Sequence, residues 1–205
     1  MENLITVELI THPDVYEPSD DSYLLADVLK NYENLEGKDV LDIGTGTGIL
    51  ALIAAQKGAS VIASDINDKA IELAKKNAAL NDVIFKNEVL KIHERSDWKV
   101  VFRKSDLFEN INEKFDLIVF NSPYLPVNDK INGVIERAWN DEGAIEKFFE
   151  EVDAHLKDDG KFLILISSLT KISLDKYAEK FVMNKIASEK LFFEEIFVIE
   201  GSIKK

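Results

Sequence analysis

The chain has 205 residues, of which 46% are apolar, and it contains no cysteine and only three scattered histidines. This length and apolar content predict one α/β domain over residues 1–205, and the missing cysteines exclude disulfides and thiolate metal sites. The net charge of −13 disfavours nucleic-acid partners because it repels a phosphate backbone. No apolar run reaches the ~18 residues of a membrane span, and the first residues lack a secretion signal. We therefore expect a cytoplasmic protein with no metal and no membrane contact.

Helix-like and strand-like periods alternate along the chain, which predicts βαβ units on a parallel sheet. Five helices are predicted from apolar positions three and four residues apart. The first follows Ser19 and completes an N-terminal unit over residues 1–33. The others lie at 49–56, from Asn67 or Asp68 to Asn81, at 144–156 and at 174–182. The predicted strands are short apolar runs at 40–43, 60–64, 100–102, 115–120, 162–166, 185–193 and 195–199. The last two form an antiparallel pair, so we expect a mostly parallel seven-stranded sheet with a C-terminal antiparallel hairpin.

Residues 82–98 do not fit this alternation, because a crossover connection rarely needs so long a return before its strand. Apolar runs at 83–85 and 89–92 predict an extra hairpin. An exposed sheet edge attracts unwanted pairing unless it is covered. We interpret this segment as an insertion that covers the edge of the sheet.

A glycine-rich loop, Gly44-Thr45-Gly46-Thr47-Gly48, follows the first predicted strand and precedes a helix. Glycines allow the backbone to approach a ligand closely, and the helix N-terminus offers unpaired N–H groups. Asp65 ends the second strand about twenty residues later, where a carboxylate can accept the ribose hydroxyls of an adenosyl ligand. The spacing departs from the G-x-G-x-x-G of dinucleotide enzymes and favours S-adenosylmethionine.

Two further acidic positions have candidate roles toward the same donor. Asp42 ends the first strand, near the amino acid part of the donor or its bound waters. Asp106 follows the third strand, where it can accept a hydrogen bond from the adenine amine while Leu107 lies against the ring. The alternative for Asp106 is an ordinary loop residue that caps the segment after it.

The reaction signal is Asn121-Ser122-Pro123-Tyr124, which follows the apolar run 115–120. A planar nitrogen is a poor nucleophile while its lone pair is delocalised, so its geometry must be controlled. The Asn121 side-chain oxygen and the Ser122 carbonyl can each accept one N–H of the target, and Tyr124 can stack on it. The alternative is a polar turn after a strand, since Asn, Ser and Pro all favour turns. In combination with the glycine loop, the motif predicts methyl transfer to a planar nitrogen.

These motifs resemble those of the HemK-related protein glutamine methyltransferases, in particular the short archaeal and eukaryotic branch that modifies class I translation termination factors. The matching segments are 15–22, 41–48, 64–65, 105–108, 121–126 and 138–139. The resemblance implies a Rossmann-like class I S-adenosylmethionine-dependent methyltransferase fold. It implies that Asn121 holds both donor and target glutamine, and that the donor is bound by Ser22, Asp42, Gly44, Asp65, Asp106 and Leu107.

Three features depart from the family pattern. Ser122 replaces the first proline of the usual Asn-Pro-Pro-Tyr, which keeps the carbonyl but loosens the turn. Residues 140–142 replace a glycine-rich stretch after Trp139. The insertion at 82–98 lies close to where this branch commonly docks a small zinc-binding activator subunit, so it either replaces that partner or reshapes its site.

The leading hypothesis is methylation of the glutamine side-chain amide in the Gly-Gly-Gln tip of a class I release factor. One alternative is an amino methyltransferase acting on adenine or guanine, because exocyclic amines present the same planar N–H pair. A basic groove beside Tyr124 would favour it. The other alternative is an interaction module that binds the donor without turnover, for which Ser122 and the altered loop after Trp139 are the motivation.

Overall fold

A computed structural model describes residues 5–87, 99–124 and 142–205. Its strands are β1 (Asp39–Ile43), β2 (Ser60–Asp65), β3 (Phe85–Asn87), β4 (Val100–Lys104), β5 (Phe115–Asn121), β6 (Leu156–Ser167), β7 (Phe181–Lys190) and β8 (Glu195–Ile203). They form one sheet in the order β3-β4-β2-β1-β5-β6-β8-β7. The strands from β3 to β6 in this order are parallel, whereas β8 is antiparallel to both of its neighbours. The predicted seven strands and the C-terminal antiparallel hairpin are confirmed, and β3 adds an edge strand. The strand predicted at 185–193 spans 181–190 instead, so residues 191–193 belong to the turn of the hairpin.

Within these described ranges, four α-helices cover the two faces of the sheet: α1 (Asp20–Asn31), α2 (Ile49–Gln56), α3 (Asp68–Leu80) and α4 (Glu142–Glu151). The first three pack over one face, and α4 packs over the other through Phe148 and Phe149. In α2 every residue from Leu50 to Ala55 is buried, which explains why that helix has no polar face. None of the helices in the described ranges is long and apolar enough to cross a membrane.

The prediction of a helix over residues 174–182 is wrong. Only a short 3-10 turn forms at Leu174–Tyr177, and β7 begins at Phe181. Phe181 is 2% exposed and its ring packs edge-to-face on Phe162, with centroids 5.4 Å apart. Because burial of that ring favours the strand, the tertiary contact overrides the helical spacing of the apolar residues.

The predicted helix over 144–156 is also shorter than expected. It ends at Glu151, a 3-10 turn follows at Val152–His155, and β6 begins at Leu156.

The interpretation of residues 82–98 as an edge-covering insertion stays a prediction, because only residues 82–87 of this segment are described. β3 pairs with β4 in parallel register, with Phe85 opposite Val100, and it is the terminal strand among those described. The second predicted run, 89–92, lies outside the described residues. The extent of a single domain over residues 1–205 stays a prediction.

The N-terminal segment, residues 5–19, lies against α3 through two asparagine side chains. Asn81 bonds both the N–H and the carbonyl of Glu8, at 2.9 and 2.7 Å. Asn77 does the same for Ile10, at 2.9 and 3.1 Å, and its Nδ2 also donates to the Thr47 carbonyl at 2.9 Å. These amides act like a partner strand for the segment, which leads the chain over the glycine loop toward α1.

Candidate active site

The predicted site residues lie along the carboxyl edge of the parallel strands. In the sheet register, Ile43 lies opposite both Ser64 on β2 and Phe120 on β5. Asp65 lies opposite Lys104 on β4. The glycine loop, Asp65, the 105–107 turn and the 121–124 turn therefore follow the ends of neighbouring strands, at the edge where open α/β sheets bind ligands.

The glycine loop depends on backbone angles that side chains disfavour. Gly44, Gly46 and Gly48 have φ values of +66°, +54° and +89°. A Cβ added to Gly48 would lie 3.1 Å from the Ala74 Cβ, so this glycine also permits close packing between α2 and α3. The Thr45 N–H donates to the Ser64 carbonyl at 2.9 Å and fixes the loop to β2. The loop is thus a rigid turn lined by backbone groups.

Asp42 is 1% exposed beneath this loop. Its Oδ2 accepts hydrogen bonds from the Thr45 hydroxyl at 2.7 Å and from the Ala51 N–H at 3.2 Å. Its Oδ1 is buried and has no hydrogen-bond partner among the described residues. Burial raises the pKa of this carboxyl to about 7, and the two hydrogen bonds oppose that rise. Buried polar atoms normally have a hydrogen-bond partner, so a polar group of a bound ligand can supply the partner that this oxygen lacks.

Asp65 accepts hydrogen bonds from two backbone N–H groups, one on each side of it. Its Oδ1 accepts from the Asn67 N–H at 2.8 Å at the start of α3, and its Oδ2 accepts from the Gly46 N–H at 3.0 Å. Burial raises the pKa of Asp65, while these backbone hydrogen bonds lower it. The carboxylate therefore joins the glycine loop to the end of β2, and its contact with a ribose stays a prediction.

The 105–107 turn presents one exposed and one buried side chain. Asp106 is exposed, whereas Leu107 is 8% exposed and has a left-handed φ of +47°. The Ser105 hydroxyl holds this conformation by donating to the Leu107 carbonyl at 2.9 Å. A non-glycine residue at positive φ costs conformational energy and is typical of functional turns. The roles of Asp106 and Leu107 toward adenine stay predictions.

The Asn121 side chain has a fixed orientation. Its Nδ2 donates to the Asp21 Oδ2 and to the Ser22 Oγ, each at 3.2 Å. Its Oδ1 is buried and has no hydrogen-bond partner among the described residues. Because a carboxylate oxygen accepts hydrogen bonds and does not donate them, the amide nitrogen of Asn121 faces Asp21, and the amide oxygen of Asn121 is left to accept. This is the acceptor that the sequence assigned to Asn121.

Asp21 is the positioning residue that sequence reasoning missed. It is 5% exposed, and its Oδ1 accepts from the Tyr16 hydroxyl at 2.9 Å and from the Ser22 N–H at 2.6 Å. Burial raises the pKa of Tyr16 and of Tyr124, and the negative charge of Asp21 raises both further. Two phenols, one hydroxyl and one amide thus surround a single carboxylate. The signal available in the sequence was the pair Asp21-Ser22 in the first turn of the helix that follows Ser19.

The turn after Asn121 is anchored to neighbouring elements. The Ser122 hydroxyl is buried and donates to the Leu165 carbonyl on β6 at 2.5 Å, a contact that a proline has no group to make. The Thr170 hydroxyl donates to the Tyr124 carbonyl at 3.3 Å. Pro123 and Tyr124 are half-buried at the site. The hydrogen bond of Ser122 thus offsets the flexibility expected from the loss of proline.

The sequence matches at 125–126 and 138–139, and the 140–141 part of the altered loop, lie outside the described residues. The remaining candidate positions, from Ser22 to Tyr124, are brought to one edge of the sheet.

Three features together define a class I S-adenosylmethionine-dependent methyltransferase. They are the parallel sheet with its antiparallel C-terminal hairpin, the glycine loop after β1 and the acidic residue at the end of β2. Comparison with known proteins agrees. Residues 6–190 match the model of the methyltransferase small domain, and the chain belongs to that family. It is an S-adenosylmethionine-dependent N-methyltransferase.

The similar proteins include glutamine methyltransferases. A proposed protein N5-glutamine methyltransferase of Methanocaldococcus jannaschii is 39% identical over 212 residues, which cover 95% of each chain. The release factor glutamine methyltransferase of Streptococcus pneumoniae is 35% identical over 148 residues, 65% of this chain and 48% of that protein.

Among solved structures, the Encephalitozoon (E. cuniculi) Mtq2–Trm112 complex, which methylates the termination factor eRF1, matches with a TM-score of 0.65. Its identity to this chain is 26%, and the match covers 93% of this chain and 99% of that one.

Proposed function

We propose that this enzyme methylates the side-chain amide nitrogen of the glutamine in the Gly-Gly-Gln tip of a class I release factor. The observation that carries the proposal is the Asn121 amide: Asp21 and Ser22 hold its nitrogen, and its buried oxygen has no partner within residues 5–87, 99–124 and 142–205. A primary amide presents two coplanar N–H groups, which is the pattern that one fixed carbonyl oxygen and a nearby backbone carbonyl can accept.

The residues present fit the methyl donor. Asp42 Oδ1 and Asn121 Oδ1 are buried and have no hydrogen-bond partner in the described part of the chain, and both residues stand at the ends of neighbouring strands, where the loop of three left-handed glycines begins. The donor would be held by Ser22, Asp42, Gly44, Gly46, Gly48, Asp65, Asp106, Leu107 and Asn121. When bound, S-adenosylmethionine supplies an electrophilic methyl group on a cationic sulfur. Asp42 and Asp65 would offer carboxyl oxygens as hydrogen-bond acceptors to the donor.

The chain's own task is to orient a weak nucleophile. The Asn121 Oδ1 and the Ser122 carbonyl would each accept one N–H of the target, which aligns its nitrogen and stabilises the positive charge that develops there. Tyr124 would stack on the amide plane beside Pro123. The raised pKa of Tyr124 keeps its phenol neutral, so that it lies against the target as an uncharged ring.

Support for the protein substrate comes from the relatives named above, whose names state glutamine or termination-factor methylation. The acidic balance of −13 agrees with a protein acceptor rather than a nucleic-acid duplex. Termination factors act on cytoplasmic ribosomes, so the enzyme works in the cytoplasm on this proposal.

A small zinc-binding activator subunit is the second part of the proposal. The Mtq2 neighbour is a complex with Trm112. In this chain, Leu80 and Ile84 are 46% and 57% exposed beside the edge strand β3. Apolar side chains next to a terminal strand are typical of a surface that takes a partner. Replacing both by serine should leave donor binding unchanged and abolish stimulation by an added activator subunit.

The experiment incubates the enzyme, with and without activator, with isotopically labelled donor and an equal mixture of purified release factor and total RNA. Mass spectrometry should find the label on the Gly-Gly-Gln glutamine. The Asn121→Ala variant, whose fold should be retained, should give no product. Label in RNA would identify a nucleic-acid amino methyltransferase, and donor binding without product on any acceptor would identify an interaction module.

A further inference from the structure

The turn between β7 and β8 exposes two adjacent aromatic rings. Phe192 and Phe193 are 91% and 84% exposed, and their two rings meet edge to face at an interplanar angle of 80°, with centroids 4.6 Å apart. Leu191 next to them packs against the core, and its N–H donates to the Glu194 carbonyl at 2.8 Å, so the turn itself is well anchored. An anchored turn with two unburied phenylalanines is typical of a recognition surface.

This turn lies at the edge of the sheet that carries the acceptor residues. Asn121 on β5 is opposite Leu165 on β6, and two residues further along β6 Ser167 is opposite Ile196 on β8. The base of the turn is two strands away from Asn121 across the sheet and about 10 Å further along the strand direction. With the usual spacing between strands, it lies about 15 Å from Asn121. A protein whose glutamine reaches Asn121 covers a surface wider than this distance.

Hydrogen bonds join the turn to the acceptor loop. The Ser167 hydroxyl donates to the Glu194 carboxylate, and the Ser167 N–H donates to the Thr170 hydroxyl at 3.1 Å. Thr170 in turn donates to the Tyr124 carbonyl at 3.3 Å. The aromatic turn and the acceptor loop therefore have a fixed relative position, which a docking contact requires if it is to align the target.

We propose that Phe192 and Phe193 are the docking contact for the protein substrate, and that they take an apolar surface of that protein beside its target glutamine. This inference rests on the proposed function. The occupant is the substrate because the turn is continuous with the acceptor loop through Ser167 and Thr170. The Glu194 carboxylate beside the rings adds a preference for a basic rim around that apolar surface.

The test compares the wild type with Phe192→Ala/Phe193→Ala in steady-state methylation of intact release factor. The matched control is Val182→Ala/Ile186→Ala, which removes two apolar side chains that are 47% and 43% exposed on the far part of the same hairpin. The aromatic variant should raise the KM for the release factor at least tenfold, while kcat, the KM for the donor and the melting temperature stay within experimental error. The control should match the wild type.

Each other result overturns the inference in a distinguishable way. An unchanged KM for release factor, with an active wild type, overturns the docking contact and leaves the proposed function intact. A wild type that does not methylate the release factor overturns both. Loss of self-association in sedimentation, with an unchanged KM, assigns the rings to a contact between two copies of the chain instead.

Discussion

Asp21→Asn is the sharpest test of the acceptor geometry, because it replaces one carboxylate oxygen by an NH2 group and leaves the shape of the side chain almost unchanged. The Oδ1 of Asp21 accepts from the Tyr16 hydroxyl and the Ser22 N–H, so the new amide must keep its oxygen there. Its NH2 group then faces the Asn121 Nδ2, which is 3.2 Å from Oδ2 in the wild type. Two donors meet, and Asn121 relieves the conflict by flipping its amide.

The flip removes the acceptor oxygen from the target and puts an N–H donor in its place. Loss of one aligned group of this kind lowers kcat by about 10² to 10³, or about 3 to 4 kcal/mol of transition-state stabilisation. The hydrogen bond lost to a charged oxygen should lower the free energy of unfolding by about 1 to 2 kcal/mol. The affinity for the donor should change less than threefold, since the contacts of Asp21 Oδ1 with Ser22 are kept.

The assay is single-turnover methylation at saturating donor and acceptor, with calorimetric donor binding as the folding control. Asp20→Asn is the matched control, because it removes the same charge from an exposed position one residue earlier in α1 and should behave as the wild type. A single Asp21→Asn variant with kcat within threefold of the wild type refutes the orientation argument.

Three other variants test the loop, the turn and the buried acid. Ser122→Ala removes the hydroxyl that donates to Leu165 and should lower the free energy of unfolding by about 1 kcal/mol and kcat severalfold, as read by urea titration and initial rates. Gly48→Ala puts a Cβ 3.1 Å from Ala74 at positive φ, and should cost about 2 kcal/mol, or about 5 °C in Tm by calorimetry; an unchanged Tm contradicts this. Because burial raises the pKa of Asp42 to about 7, the folded protein keeps a proton that the unfolded chain loses, so this group's contribution to stability falls as pH rises from about 4 to 7. Urea titrations should show a difference between wild type and Asp42→Asn that changes over this range by up to about 1.4 kcal/mol per pH unit, and a constant difference would contradict the raised pKa.

Features with local causes could be predicted from the sequence. The α2 bounds, the Asn67 cap of α3 and the left-handed Gly58 all follow from residue types within a few positions of each other. The location of the site could also be predicted. When the parallel strands are assigned correctly, their carboxyl ends are known to lie at the same edge of the sheet. The motifs after β1 and β5 therefore come together as expected.

Features with long-range causes could not be predicted. The role of Asp21 arises from contact with Asn121, which is 100 residues away, and no periodicity encodes that pairing. The start of β7 depends on a ring packed against Phe162, so the apolar spacing around Phe181 was misread as helical. The hydrogen bond from Ser122 to β6 likewise follows from the register between two strands, which the turn sequence does not contain.

The attachment of the N-terminal segment to α3 sets an order for assembly during synthesis. Its partners, Asn77 and Asn81, emerge from the ribosome some seventy residues after Glu8 and Ile10. The segment must therefore wait, unpaired, until α3 is complete, and Asp21 must wait longer for Asn121. A nascent chain stalled before β5 would therefore carry the glycine loop and Asp21 without the Asn121 acceptor.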